Sequence, residues 1–357
     1  MDSSQRAELL RRIYSIVTAA GSSPIVRRHF HYRAKEALRD YALPGRAPAA
    51  GLPVNLDLLD VYLDELSVFG PDDAPACAEP PLPVRLVVYG AKPLALLHDV
   101  EPALHSARAW CDAHGLWSAL GPHAFVVAPE AGKGSYRNLA RDRVPARGLS
   151  GGQRTLLVAR DRELVVAGFL ALLLDWDEYL GELLGYPRCC ARAFTRRWPI
   201  AVREHDGDIA GMIARESEHG PKDWRTSIYA RYFGVELIQH FPCRLDCAAT
   251  VALAERHLAA LDAFEPGHAA ALRERLATLV LYAGEAGVFA FPGASRDGEE
   301  PRWTYDPARV HATPDDDARP DALGPLIASA TTLRQREGEV WIGERRVAGT
   351  LLDFSTT

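Results

Sequence analysis

Apolar positions recur at helical spacing in some stretches and form short continuous runs in others, so the chain predicts an α/β or α+β fold. Residues 1–45 and 56–68 have the helical pattern. Residues 84–89 and 124–128 are short β-branched or apolar runs that predict buried strands, and the stretch between them, 103–116, predicts a helix. Two strands that flank a helix predict an N-terminal α/β unit.

The glycine-rich stretch 148–153 predicts a domain boundary, with the α/β unit in residues 1–150 and a cysteine-bearing α+β domain in residues 151–357. In the second part, residues 155–159 and 163–167 predict a β-hairpin. Apolar spacing then predicts five helices, at 169–184, 189–198, 227–239, 248–264 and 267–281. The chain ends in a strand-rich tail, with strands predicted at 287–291, 302–305, 331–335 and 339–342.

Composition and charge narrow the class of protein. The 357 residues are 48% hydrophobic and 25% charged, which is ordinary for a globular protein. A net charge of −6 argues against a general nucleic-acid binder. The longest apolar run, 164–174, is too short to span a bilayer. We therefore expect a cytoplasmic protein with no membrane segment, whose cysteines are reduced and serve metal binding or redox chemistry rather than structural disulfides.

Four of the six cysteines lie in two similar segments, LLGYPRCC at 183–190 and HFPCRLDC at 240–247. Each segment has a proline before its cysteines and a helical pattern after them. A helix N-terminus stabilises a thiolate through its unpaired N–H groups and partial positive charge. On a regular turn Cys243 and Cys247 would share one helical face; alternatively, Asp246 would cap the helix that Cys247 begins. We expect the two segments to form one thiolate site.

The spacing of the cysteines does not determine which metal the site would hold. Four cysteines suit either an iron–sulfur cluster or structural zinc. Neighbours on a helix point about 100° apart, so the adjacent pair Cys189 and Cys190 suits a single ion less well than a larger cluster. The leading hypothesis is an iron–sulfur enzyme, with a 4Fe–4S cluster held by Cys189, Cys190, Cys243 and Cys247. Its reaction is open between sulfur transfer, redox and Lewis-acid chemistry.

Other interpretations also fit the cysteine pattern. The protein could be a zinc-stabilised binding or scaffold protein without catalysis, or a metal-free redox protein with a vicinal dithiol. Without a joint site, the cysteines would simply be small buried apolar residues.

Neighbouring side chains suggest what an enzyme of this kind would use. Cys190, His240 and Tyr186 are candidate catalytic groups, because they lie next to the predicted ligands or among them. Arg188 and Arg192 are candidate contacts for a small anionic substrate. His257, on the helix after Cys247, is expected to face solvent. The sequence does not predict the oligomeric state.

The pattern Leu184-Gly185-Tyr186-Pro187-x-Cys189-Cys190, followed by His240-x-Pro242-Cys243-x-x-x-Cys247, resembles a prokaryotic domain family of unknown function with an LGYPxCC signature. The resemblance covers residues 160–355 and includes the strand-rich tail. It implies no activity and no cofactor.

Overall fold

The computed structural model describes residues 76–127, 140–145, 153–173, 177–205, 207–298, 301–313, 323–336 and 338–355. The helices predicted in 1–45 and 56–68, and most of the glycine-rich stretch 148–153, lie outside these residues. The described residues form two compact units. One contains residues within 76–87, 93–126 and 142–184, and the other contains residues within 88–92, 127–141 and 185–357. The division predicted at residue 150 stays a prediction.

The first unit is built on a four-stranded sheet of β1 (Leu94–Val100), β2 (Trp117–Val127), β3 (Ala140–Pro145) and β4 (Gln153–Ala159). The strand order is β1-β4-β2-β3, and β4 pairs antiparallel with both β1 and β2. Leu156, Leu157 and Val158 of β4 are fully buried, as expected for a central strand.

Four helices belong to this part of the chain: α1 (Leu82–Val88), α2 (Glu101–Ala113), α3 (Arg162–Leu173) and α4 (Asp177–Leu183). The strand predicted at 84–89 is therefore wrong, because this β-branched run forms α1. The hairpin predicted around Arg160–Arg162 is also wrong, since its second half forms α3. Both errors involve short apolar runs, which periodicity alone cannot assign to helix or strand.

The second unit begins with helices and ends with strands. Its helices are α5 (Arg188–Glu204), α6 (Ile209–Glu216), α7 (Ala248–Phe264) and α8 (Pro266–Leu276), with a short α9 (Gly324–Ser329) in the tail. The predicted helix 248–264 is confirmed with the same bounds. Residues 227–239 contain only a short 3₁₀ helix, Tyr229–Phe233, so a regular helix there was a wrong prediction.

The strand-rich tail forms two antiparallel sheets. One contains β5 (Leu279–Tyr282), β6 (Val288–Phe291), β9 (His311–Ala312) and β13 (Thr350–Asp353), in the order β13-β5-β6-β9. The other has the order β12-β11-β10-β8-β7 and contains β7 (Ser295–Arg296), β8 (Arg302–Thr304), β10 (Thr332–Arg336), β11 (Glu339–Ile342) and β12 (Arg345–Val347). Phe289, Trp303 and Leu333 lie in the core of this tail. Because the strands pair antiparallel and most follow the helices, the α+β class with a strand-rich tail is confirmed.

Candidate metal centre

The first cysteine segment is a helix end followed directly by a helix start. Gly185 has a φ of 77°, a left-handed conformation that glycine adopts without steric cost, and it follows the last turn of α4. Pro187, with a φ of −57°, is the N-cap residue of α5. Its carbonyl accepts a hydrogen bond from the backbone N–H of Cys190 at 2.8 Å. Cys189 and Cys190 therefore lie in the first turn of α5, as predicted.

The second segment places its two cysteines differently from either prediction. Cys247 is itself the N-cap residue of α7, so Asp246 does not cap this helix. Cys243 lies before the helix, in the bend that leads into the Arg244–Cys247 turn, which the Cys247 N–H closes by donating to the Arg244 carbonyl at 3.1 Å. Cys243 and Cys247 therefore do not share a face of one regular helix. The turn directs one sulfur and the helix start directs the other.

The four sulfurs of Cys189, Cys190, Cys243 and Cys247 converge, with all of them within 4.8 Å of one another. The Sγ atom of Cys247 is 3.7 Å from that of Cys189 and 3.7 Å from that of Cys190, while the adjacent pair is 3.8 Å apart. Cys189 is exposed, Cys243 is half-buried, and Cys190 and Cys247 are buried. These residues form a group that could hold a metal ion.

Donor groups of the protein are directed at the buried sulfur of Cys190. The Cys243 backbone N–H donates to Cys190 Sγ at 3.3 Å, and the Thr250 hydroxyl lies 3.2 Å from the same sulfur. The hydrogen bond with Cys247 and burial raise the pKa of the Cys190 thiol. Hydrogen bonds from Cys190 and Thr250 lower the pKa of Cys247 to about 4. These hydrogen bonds therefore favour the thiolate form of Cys247.

Arg197 supports the turn that carries Cys243. Its guanidinium donates to the backbone carbonyls of Cys243 at 2.9 Å and Pro242 at 3.4 Å, and it pairs with Glu216. A planar guanidinium can make these contacts together because its donors form a rigid fork. Arg197 thus connects the helix of the first cysteine pair to the turn of the second.

His240 is coupled to the sulfurs through one hydroxyl. Its Nε2 lies 2.9 Å from Thr250 Oγ1, the same oxygen that contacts Cys190. Burial and the positive charge of Lys92 lower the pKa of His240 to about 3. Its ring lies 5.0 Å from the ring of Tyr186, centroid to centroid. The structure therefore brings together Cys190, His240 and Tyr186, whose catalytic roles stay predictions.

The predicted substrate contacts Arg188 and Arg192 are exposed residues of the first two turns of α5. A role for them in binding an anion stays a prediction.

Three buried residues of this unit were missed or misjudged from the sequence. Thr250 is fully buried and bridges Cys190 to His240. His257 is buried rather than solvent-facing, with its Nδ1 atom 3.0 Å from the Leu237 carbonyl oxygen. Lys92 is also buried, with its Nζ atom 4.7 Å from the centroid of the Tyr186 ring. One available signal for Lys92 was composition, because only four of the 41 basic residues are lysines: Lys35, Lys92, Lys133 and Lys222.

None of the helices in the described part of the chain is long and apolar enough to cross a membrane. Comparisons of the chain with protein-family models, with curated proteins and with solved structures find no match.

Proposed function

We propose that the protein binds one zinc ion through Cys189, Cys190, Cys243 and Cys247, and that this ion stabilises the fold by joining the starts of α5 and α7. The observation that carries the proposal is the spacing of the sulfurs, with three contacts of 3.7 to 3.8 Å and none of the group beyond 4.8 Å.

A tetrahedral site around one ion accounts for this spacing. With zinc–sulfur bonds of about 2.3 Å, the sulfurs at the corners of a regular tetrahedron are about 3.8 Å apart. In a cubic iron–sulfur cluster, each cysteine thiolate binds a different iron. The cysteine sulfurs around a cluster therefore lie further apart than those around a single ion, because the irons are themselves separated. The observed group supports a single ion over a cluster. The vicinal pair does not prevent this arrangement, because both residues lie in the freer first turn of a helix.

The surroundings of the sulfurs support a structural role. Four thiolates fill the coordination sphere of zinc, which is typical of sites that stabilise a fold rather than carry out catalysis. The N–H of Cys243 and the hydroxyl of Thr250 are well placed to balance the charge of a four-thiolate centre through hydrogen bonds to sulfur. We also propose that the chain is a member of the LGYPxCC family. In that motif Gly185 would end one helix and Pro187 would start the next, so that both cysteines face the ion.

One experiment separates this proposal from two alternatives. The first is an iron–sulfur enzyme that acts on a small anionic molecule, and the second is a metal-free dithiol protein. The full chain is purified anaerobically without added metal, and its metal content, sulfide content and visible spectrum are measured. We expect one zinc per chain and a colourless protein. Iron with sulfide and a brown colour would overturn the proposal in favour of a cluster. A metal-free protein with a reversible disulfide in this group would overturn it in favour of a redox thiol pair.

Matched variants connect the metal to these residues. Cys190→Ser and Cys247→Ser should lower the zinc content, because each removes a buried ligand. Cys111→Ser serves as the control, because Cys111 is buried but does not belong to the four-cysteine group. Equal zinc content in all three variants would contradict the proposed ligand set.

A further inference from the structure

Lys92 is buried in a chain that otherwise uses very few lysines. Only 4% of its surface is exposed, although 37 of the 41 basic residues of the chain are arginine. Arginine is the usual choice for a buried ion pair, because its charge is permanent and its donors form a fork. Lysine differs in that it can lose its proton when buried and then act as a nucleophilic amine. Because the chain uses arginine almost everywhere else, a buried lysine at position 92 suggests a role that needs a removable proton.

The groups that face Lys92 come from three stretches of the same unit. Tyr186 presents its ring to Nζ, and Glu236 acts on the ammonium through its negative charge. Lys92 in turn lowers the pKa of both His240 and His257. Tyr186 and Glu236 are half-buried, so this group of residues reaches the surface there.

Several buried polar atoms around Lys92 have no hydrogen-bond partner among the described residues. They are His240 Nδ1, His257 Nε2 and Arg231 Nε. The Nδ1 atom of His257 faces a carbonyl oxygen, so it carries the proton and leaves Nε2 as a bare acceptor. Arg231 Nε is a donor, and its charge acts on His240 and Tyr186. Buried polar atoms without partners are rare in folded proteins, so these three call for a partner such as water, an ion or a small ligand.

We propose that Lys92 is the amine of a binding site for a small 2-oxo acid, which it holds as an imine, with His240, His257 and Arg231 as its polar neighbours. The 2-oxo acid fits because its carbonyl carbon suits a lysine amine, and its carboxylate suits the donor of Arg231. The site is connected to the proposed metal centre through Thr250, which contacts both His240 and Cys190, but imine formation does not require the ion.

The imine forms without an oxidant or a cofactor. The lone pair of Lys92 Nζ attacks the carbonyl carbon, and the C=O π electrons move to the oxygen. One N–H proton passes to that oxygen, the second N–H proton reaches the same oxygen through a neighbouring imidazole, and water leaves as the C=N bond forms. The neutral imidazoles of His240 and His257 are the groups available to accept and return a proton at this position.

The protonation state of Lys92 suits this role. Burial lowers its pKa to about 7, and the negative charge of Glu236 partly opposes the shift. His240 and His257, with pKa values lowered to about 3 and about 4, stay neutral near pH 7 and add no charge of their own. Imine formation needs the neutral amine, so the reaction should rise with pH and level off above about pH 7. An exposed lysine with a pKa of about 10.4 would keep rising.

The test is reductive trapping on the full, metal-loaded chain. The protein is incubated with pyruvate and sodium cyanoborohydride between pH 6 and pH 8, and the adduct is located by peptide mass spectrometry. We expect one adduct, at Lys92, whose formation rises about tenfold over this range and levels off. Acetone, which has the carbonyl but no carboxylate, should label Lys92 at least tenfold more slowly.

Variants separate the site from general lysine chemistry. Lys92→Arg keeps the positive charge but cannot form the imine, so it should abolish the adduct while the protein still melts cooperatively. Lys222→Arg is the matched control, because the Lys222 ammonium donates to the backbone carbonyls of Glu218 and Gly220, and this variant should trap pyruvate like the wild type. Labelling spread over the other lysines, or no adduct in wild-type protein that melts cooperatively, would overturn the proposal.

Zinc content measured on the same samples separates this inference from the proposed function. Protein with one zinc and no adduct overturns the lysine site and leaves the metal centre standing. Protein with the Lys92 adduct but no zinc supports the lysine site and overturns the metal centre.

Discussion

At the scale of single residues, Cys189 and Cys190 are adjacent in sequence but opposite in environment. Cys189 is exposed and lies 3.7 to 3.8 Å from two other sulfurs, whereas only 1% of Cys190 is exposed and its sulfur contacts a backbone N–H and a hydroxyl. Hydrogen bonds and burial reduce the reactivity of a sulfur, so the two should differ as nucleophiles although both are proposed ligands of one ion.

We predict that iodoacetamide modifies Cys189 before the other three ligands. Time-resolved peptide mapping of the metal-loaded protein measures the order. Cys111 is the internal control, since it is fully buried and burial raises its pKa to about 12, so it should remain unmodified. Equal rates for Cys189 and Cys190 would contradict the inferred difference.

Thr250 should control metal affinity without binding the metal. Thr250→Val removes the hydroxyl shared by Cys190 and His240 and keeps the side-chain volume. We expect zinc affinity to fall roughly 10- to 100-fold, the usual effect of losing a group that supports a ligand. Competition with a zinc-binding dye measures this change.

The control for that experiment is Thr278→Val. Thr278 is similarly buried, but its hydroxyl donates to the Arg275 carbonyl and not to a group at the centre. Its zinc affinity should match the wild type. The same loss of affinity in both variants would mean that Thr250 acts through general stability.

The sequence pattern failed to identify some buried residues for one physical reason. The four cysteines of the group were recognisable because cysteine is rare and its spacing is informative. The positions of Lys92 and His257 depend on distant parts of the chain, since Lys92 lies against Tyr186 and His257 against Leu237. Local pattern carries no information on such contacts, so His257 was wrongly expected to face solvent.

At the scale of elements, the turn that carries Cys243 depends on Arg197 of α5. Arg197→Ala should destabilise the protein by about 1–3 kcal/mol, because two backbone carbonyls lose a charged donor. Thermal unfolding should register this as a lower melting temperature, together with weaker zinc retention.

Arg203→Ala is the matched control on the same helix. The Arg203 side chain is 70% exposed and pairs with the adjacent Glu204, so its loss should change stability by less than about 0.5 kcal/mol. If both variants unfolded at the same temperature, the assigned role of Arg197 would be wrong.

Elements were predictable where local and tertiary preferences agree. The amphipathic run Ala248–Phe264 has helical spacing throughout, and it forms that helix with the predicted bounds. The tail strand Glu339–Ile342 was likewise predicted with its observed bounds, because β-branched and aromatic residues precede a glycine turn. Residues 84–89 failed because a short β-branched run forms a helix when its apolar residues can be buried that way.

At the scale of the whole molecule, the metal should contribute to the stability of the fold. A zinc ion present at about 1,000 times its Kd adds about 4 kcal/mol to the free energy of unfolding. For a chain of 357 residues, with an unfolding entropy of about 2.1 cal/mol/K per residue, that corresponds to a melting temperature roughly 5 °C higher. We predict that a zinc chelator lowers the melting temperature by this amount and that added zinc restores it.

Cys243→Ser provides the control for chelation. This variant lacks one ligand, so chelation should change its melting temperature much less than that of the wild type. An unchanged melting temperature in wild-type protein after complete zinc removal would contradict a structural role for the ion.

The arrangement of the whole chain was predicted in outline. The α+β class and the strand-rich tail followed from the change from helical spacing to short apolar runs. The two predicted helix starts indicated that the four sulfurs would form one group, but they did not predict how close together the sulfurs lie. Sulfur positions depend on the turn at Cys243 and on Cys247 as N-cap, and the spacing of residues in a sequence does not determine either.

The most direct test of the metal centre is X-ray absorption at the metal edge of the protein as purified. The account predicts zinc surrounded by about four sulfurs at about 2.3 Å, with no second metal nearby. Iron with a neighbouring iron, or zinc bound mainly by nitrogen and oxygen, would contradict it.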